Sequence, residues 1–126
     1  MSSNGNPPCV LLAEDEMFVA MMLEDRLQDA GYRVLKAARL AKCLELAESE
    51  PIDVAVLDIN LAGEASFPVA TALRERGIPF VFSSGYGDEG IPDAWRGEPV
   101  IQKPYDTKEL LSALDQCRGG GDTGNA

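Results

Sequence analysis

Four apolar runs in this chain each stop on residues able to do chemistry. Cys9-Val10-Leu11-Leu12-Ala13 stops at Glu14-Asp15-Glu16, and Val54-Ala55-Val56-Leu57 stops at Asp58. Ile78-Pro79-Phe80-Val81-Phe82 ends at Ser83-Ser84-Gly85, and Pro99-Val100-Ile101-Gln102 ends at Lys103-Pro104. Carboxylates gathered in one crevice repel each other and need a counter-charge. A Mg²⁺ ion answers that need, because it takes a few carboxylates, a carbonyl and several waters. Lys103 adds a compact, mobile cation and Ser84 a hydroxyl donor. With a carboxylate nucleophile, this is equipment for phosphoryl transfer, in which positioning and charge neutralisation make up most of the catalysis. Taken singly, each residue has a plainer reading. Asp58 would cap or turn, the Glu14-Asp15 pair would charge a helix N-terminus, and Ser84 and Lys103-Pro104 would sit in turns. In order, and each at a strand end, they read together as one site.

Bringing four strand ends together requires a parallel sheet. Continuous apolar runs such as Val54–Leu57 mark strands buried on both faces. Between the runs the period changes to that of a helix. Met17, Ala20, Met21, Leu23 and Leu27 trace one helix, closed by Gly31, and its methionines (Met17, Met21 and Met22) read as core filling. Tyr32–Ala37, of mixed polarity, reads as an edge strand. Leu40, Leu44 and Ala47 mark a second helix ended by Pro51, and a third runs from Phe67-Pro68 to Gly77 after a loop over 61–66. Gly85, Gly87, Gly90, Pro92 and Gly97 leave the fourth helix short or missing, with Trp95 as its one large anchor. Asp106 and Glu109 have capping-box spacing ahead of a last helix carrying Leu110, Leu111 and Leu114. Strands alternating with helices predict an α/β fold, a doubly wound five-stranded parallel sheet with helices on both faces. In such sheets the binding crevice lies at the carboxyl ends of the strands.

Composition narrows the function further. A net charge of −10 without a basic patch argues against nucleic acid and suits a divalent cation or a basic partner. The chain has no histidine, which removes histidine acid–base catalysis, histidine metal ligands and a phosphohistidine-donor role. Three well-separated cysteines, Cys9, Cys43 and Cys117, read as reduced packing residues. No apolar stretch reaches the length of a membrane span and the first residues lack a signal peptide's pattern, so a cytoplasmic location is expected. The expected organisation is one domain over residues 8–118, with disordered ends at 1–7 and 119–126.

On the motifs Leu12-Ala13-Glu14-Asp15-Glu16, Leu57-Asp58-Ile59-Asn60-Leu61, Phe82-Ser83-Ser84-Gly85 and Gln102-Lys103-Pro104-Tyr105, the chain resembles the receiver domains of two-component response regulators. The resemblance implies a flavodoxin-like receiver fold in which Asp58 accepts a phosphoryl group from a histidine kinase or a histidine phosphotransfer protein. It further implies that Asp15 and Asp58 bind Mg²⁺ directly, Glu14 through water, and Asn60 through its carbonyl. Ser84 and Lys103 would hold the phosphoryl oxygens, and the Lys103-Pro104 bond would be cis, as it commonly is in this family. Two departures matter. The aromatic that most receivers carry three residues before the lysine is Val100 here. Pro79-Phe80-Val81-Phe82-Ser83-Ser84-Gly85-Tyr86 resembles the Pro-Phe-x-Phe-Ala-Thr-Gly-Gly/Tyr motif of a subgroup of single-domain regulators, with Ser83 and Ser84 replacing its Ala and Thr. A switch is therefore expected within Ser84 to Trp95.

The sequence reading is thus a single-domain response regulator, a phosphoprotein rather than an enzyme, which switches binding to another protein or acts as a phosphate sink. One rival is a Mg²⁺-dependent phosphatase with an aspartyl-phosphate intermediate. It would want an acid two residues after the nucleophile, where Asn60 stands. The other rival is a phosphorylation-independent binding module on the same fold. The cognate kinase and the downstream partner are not named by the sequence.

Overall fold

The computed structural model describes residues 7–85 and 91–120. The strand β1 (Cys9–Ala13) is followed by α1 (Met17–Asp29), β2 (Arg33–Ala37), α2 (Leu40–Ser49) and β3 (Val54–Asp58). A two-residue-per-strand hairpin, β4 (Asn60–Leu61) and β5 (Glu64–Ala65), leads into α3 (Phe67–Glu75) and β6 (Phe80–Ser84). A single 3₁₀ turn (Asp93–Trp95), β7 (Val100–Gln102) and α4 (Thr107–Asp115) complete the fold. The main sheet is wholly parallel, in the order β2-β1-β3-β6-β7. The order reverses between β1 and β3, where a doubly wound sheet opens its crevice.

The two central strands show why the elements form. β1 and β3 are buried along their whole length, which requires helices on both faces. On one face Leu11, Ala55, Leu57, Phe80 and Phe82 meet α2 and α3 through Cys43, Ala47, Val69 and Leu73. On the other, Val10, Leu12, Val54, Val56 and Val81 meet α1 and α4 through Leu23, Leu27, Leu110 and Leu114. Gly31, at φ +99°, takes the left-handed position that ends α1, with its N–H and that of Tyr32 returning to the carbonyls of Gln28 and Leu27.

Two expectations needed correction. Met17, Met21 and Met22 are not core filling. They are 70%, 51% and 48% exposed, and Phe18 beside them is 83% exposed. The inward stripe of α1 is Ala20, Leu23 and Leu27, and the methionines fall off that stripe or in the overhanging first turn. The stretch 61–66, read as a loop, contains the hairpin, because Ala62 and Gly63 both take positive φ (51° and 91°) in the geometry of a tight two-residue turn. A π-turn over Gln116–Gly120 continues α4. In place of a fourth crossover helix there is only the 3₁₀ turn among the described residues, as glycine and proline content predicted. Most of the disordered ends expected at 1–7 and 119–126 lies outside the described residues, and so does much of the expected switch segment.

Candidate phosphoryl-acceptor and metal site

β1, β3, β6 and β7 end in that order along the carboxyl edge of the sheet, and their chemistry converges there. Lys103 Nζ lies 2.9 Å from Asp58 Oδ2 and 3.1 Å from Glu14 Oε1, so one ammonium serves two carboxylates. Glu14 (3% exposed) and Asp58 (9%) are nearly out of solvent. Asp15, more exposed, completes a group in which carboxylate oxygens of Glu14, Asp15 and Asp58 all lie within 4.8 Å of one another. Ser84, at the end of β6, is buried beside them, and its carbonyl accepts from the Lys103 N–H at 2.8 Å. The Lys103-Pro104 bond is cis. Beyond it, the start of α4 is secured by the Asp106–Glu109 capping box.

The electrostatics follow from one cation shared among three acids. Burial raises the pKa of Glu14 and outweighs both the Glu16 N–H that it accepts from and the Lys103 charge. Burial likewise raises Asp58, against the Lys103 hydrogen bond and charge and the Asn60 backbone N–H, while the charge of Asp15 pushes the same way. Burial alone would lower Lys103, but hydrogen bonds and charges from Asp58 and Glu14 prevail and raise it. The lysine is thus held charged, and the acids are held short of positive charge. That imbalance fits a divalent cation, and an oxygen-only donor set fits Mg²⁺.

Two links here were not visible in the sequence. The Ala62 N–H donates to Asp15 Oδ2 (2.9 Å) and the Gly63 N–H to Asn60 Oδ1 (2.9 Å), so the positive-φ turn of the hairpin is pinned by residues of the site itself. A second link lies behind Ser84, where Trp95 is buried against Phe67, Phe80 and Phe82 with ring centroids about 6 Å apart. The Arg74 guanidinium lies 4.0 Å over the Trp95 ring and pairs with Glu98 at 2.7 Å. The order of residue types along the chain gives no hint of the first, and of the second only that Trp95 is the large anchor of its stretch.

Of the residues singled out from sequence, Glu14, Asp15, Asp58 and Lys103 meet directly. Ser84 adjoins them on β6, and the Asn60 N–H reaches Asp58. Val100 is half-buried against the Phe80–Phe82 side of the core.

Known proteins share this sequence pattern and fold. The uncharacterized transcriptional regulatory protein YbdJ of Bacillus subtilis is 29% identical over 106 residues, 81% of this chain and 47% of that protein. The chain spans about half the length of the curated relatives it matches. The solution structure of SdrG from Sphingomonas melonis Fr1 aligns with a TM-score of 0.76 at 40% identity, covering 88% of this chain and 96% of that one. The receiver domain of sensor histidine kinase PA1611 from Pseudomonas aeruginosa, described with magnesium coordinated in its active-site cleft, shares the fold at a TM-score of 0.77 and 22% identity, over 90% of this chain and 98% of its own. Residues 10–115 match the response regulator receiver domain family, and the chain belongs to it.

Proposed function

We propose that this chain works as a stand-alone phosphorylation switch with Asp58 as its acceptor. A phosphohistidine on a histidine kinase or phosphotransfer protein is the donor. An Asp58 carboxylate oxygen forms the new P–O bond while the P–N bond breaks, its electron pair going to the imidazole nitrogen. Lys103, already 2.9 Å from Asp58, neutralises charge on the transferring group and then holds a phosphoryl oxygen. The Ser84 hydroxyl follows the phosphoryl group on its other side. Asp15, Asp58 and the Asn60 carbonyl would hold Mg²⁺ directly and Glu14 would hold it through water. When bound, the ion supplies further neutralisation of the phosphoryl oxygens. The observation that carries the reading is one ammonium shared by two buried carboxylates, within a three-carboxylate cluster at the switch point of the sheet. The alignment over 96% of the SdrG chain supports a unit of this size.

The apolar face of Met17, Phe18 and Met21 adjoins Asp15 at the start of α1. An exposed patch of that kind suits docking of the protein donor. The changed surface then alters binding to a downstream protein, or the chain drains phosphate from its kinase.

Intact-mass analysis after incubation with Mg²⁺ and acetyl phosphate, beside Asp58→Asn and a chelated control, tests the chemistry. One added phosphoryl group that requires both Asp58 and Mg²⁺ is the expected result. Absence of any adduct, with acetyl phosphate and with a panel of phosphorylated kinases alike, overturns it.

A further inference from the structure

Among the described residues, β7 is an outer strand of the sheet and pairs with β6 alone. Its Pro99 carbonyl and Lys103 N–H bond to β6, so the alternate peptide groups of Val100 and Gln102 face away from the sheet. The opposite edge, β2, is guarded by Arg33 and Lys36, whereas β7 carries no charge between Pro99 and Lys103. Beside this edge, between β7 and α4, runs an open groove of about 850 Å³. Its lining includes Val81, Ile101 and Ala113, and it carries Asp106, Glu109 and Glu98, the last paired with Arg74, beside Lys108.

We propose that the β7 edge and this groove bind an extended basic segment of a partner protein, added to the sheet as a sixth strand. Main-chain bonds to Val100 and Gln102 supply the register, alternate apolar side chains enter the groove, and lysines or arginines meet the acidic rim. Pro99 and the cis-Pro104 bound the open edge, so the groove and its charge must supply much of the affinity. A second copy of this chain fits badly, because two-fold pairing of the edges would bring both acidic rims together. Residues 1–6 and 121–126 contain no basic residue and cannot supply the segment. The inference rests on the sheet edge and not on the phosphoryl chemistry, so either can fail without the other.

The probe is a blocked decapeptide of alternating lysine and valine. Its controls are a glutamate–valine version and one N-methylated at alternate peptide bonds. Amide spectra of the full chain should show the Val100 and Gln102 signals shifting with the lysine peptide, and their hydrogen exchange slowing. N-methylation and Ala113→Lys, which adds positive charge to the groove, should each weaken binding at least tenfold. The glutamate peptide should not bind. Shifts confined to other surfaces, no binding, or equal binding by the N-methylated or glutamate peptide overturns the proposal. Self-association of the chain alone through the same two amides does so as well, by making the occupant a second copy.

Discussion

Replacing Lys103 by methionine keeps the length of the side chain and removes the ammonium that Glu14 and Asp58 share. Breaking a buried ion pair by removing one partner costs about 3–5 kcal/mol. The Lys103 side chain is 30% exposed, so water would take up part of the deficit and about 2–3 kcal/mol is expected at pH 7.5. The pH dependence has a definite sign. Burial already raises Glu14 and Asp58 in the folded protein, and loss of the cation raises them further. A raised carboxylate contributes stability that is fully present below its unfolded pKa and lost as pH rises through the folded value. The penalty of the variant is therefore largest at neutral pH and shrinks as the two acids protonate. Urea unfolding of both proteins in chelator should show the full gap at pH 7.5 and a smaller one at pH 4.5. Restoring Mg²⁺ at pH 7.5 should close part of it, as the ion stabilises the native variant, whose acids lack the Lys103 charge, more than the native parent. A gap of the same size at both pH values would refute the reasoning, since lost packing has no reason to follow carboxylate protonation.

Four further outcomes are expected. Asp15→Asn should weaken Mg²⁺ binding at least about tenfold by titration calorimetry, because a hard cation loses a carboxylate ligand; unchanged affinity would remove Asp15 from the ligand set. Phe18→Ala should slow transfer from a phosphorylated kinase several-fold while leaving labelling by acetyl phosphate intact, and equal effects on both donors would deny α1 a docking role. Trp95→Ala should cost about 3–5 kcal/mol in urea unfolding, since the ring is buried among three phenylalanines and under Arg74. Burial pushes the Cys43 thiol up to about 12, so a disulfide reagent at pH 8 should leave it untouched until the protein unfolds.

The parts of the fold that sequence made legible are those fixed by local pattern. Val54–Leu57 is apolar at every position, and only a strand covered on both faces makes use of that. Asp106 and Glu109 carry the spacing that caps a helix, and both halves of the box form. The hairpin at 60–65 was hidden because alanine is an uncommon residue for a left-handed turn position. Ala62 holds that position with its N–H bonded to Asp15, 47 residues earlier, and no local pattern encodes the partner. The methionines of α1 misled for a related reason. Spacing shows that a helix has an apolar side, but where the first turn overhangs the sheet it cannot say which apolar residues have anything to pack against.

Convergence at the site was legible in outline and hidden in its balance. Residue types at four strand ends predicted acids, a hydroxyl and a lysine in one crevice. They did not predict that one ammonium bridges Glu14 and Asp58 while the nearby Asp15 secures the hairpin. That division has a mechanical consequence. If Asp15 turns toward a metal, the oxygen that accepts from Ala62 has a competing partner; if Lys103 follows a phosphoryl group, Glu14 and Asp58 give up their shared cation. Binding at the site therefore acts on two elements already tied to it, the β4–β5 hairpin through Asp15 and the β7–α4 junction through Lys103. The second junction borders the groove beside β7, so the proposed phosphoryl transfer to Asp58 would have a short route to the proposed partner edge without the aromatic that Val100 replaces.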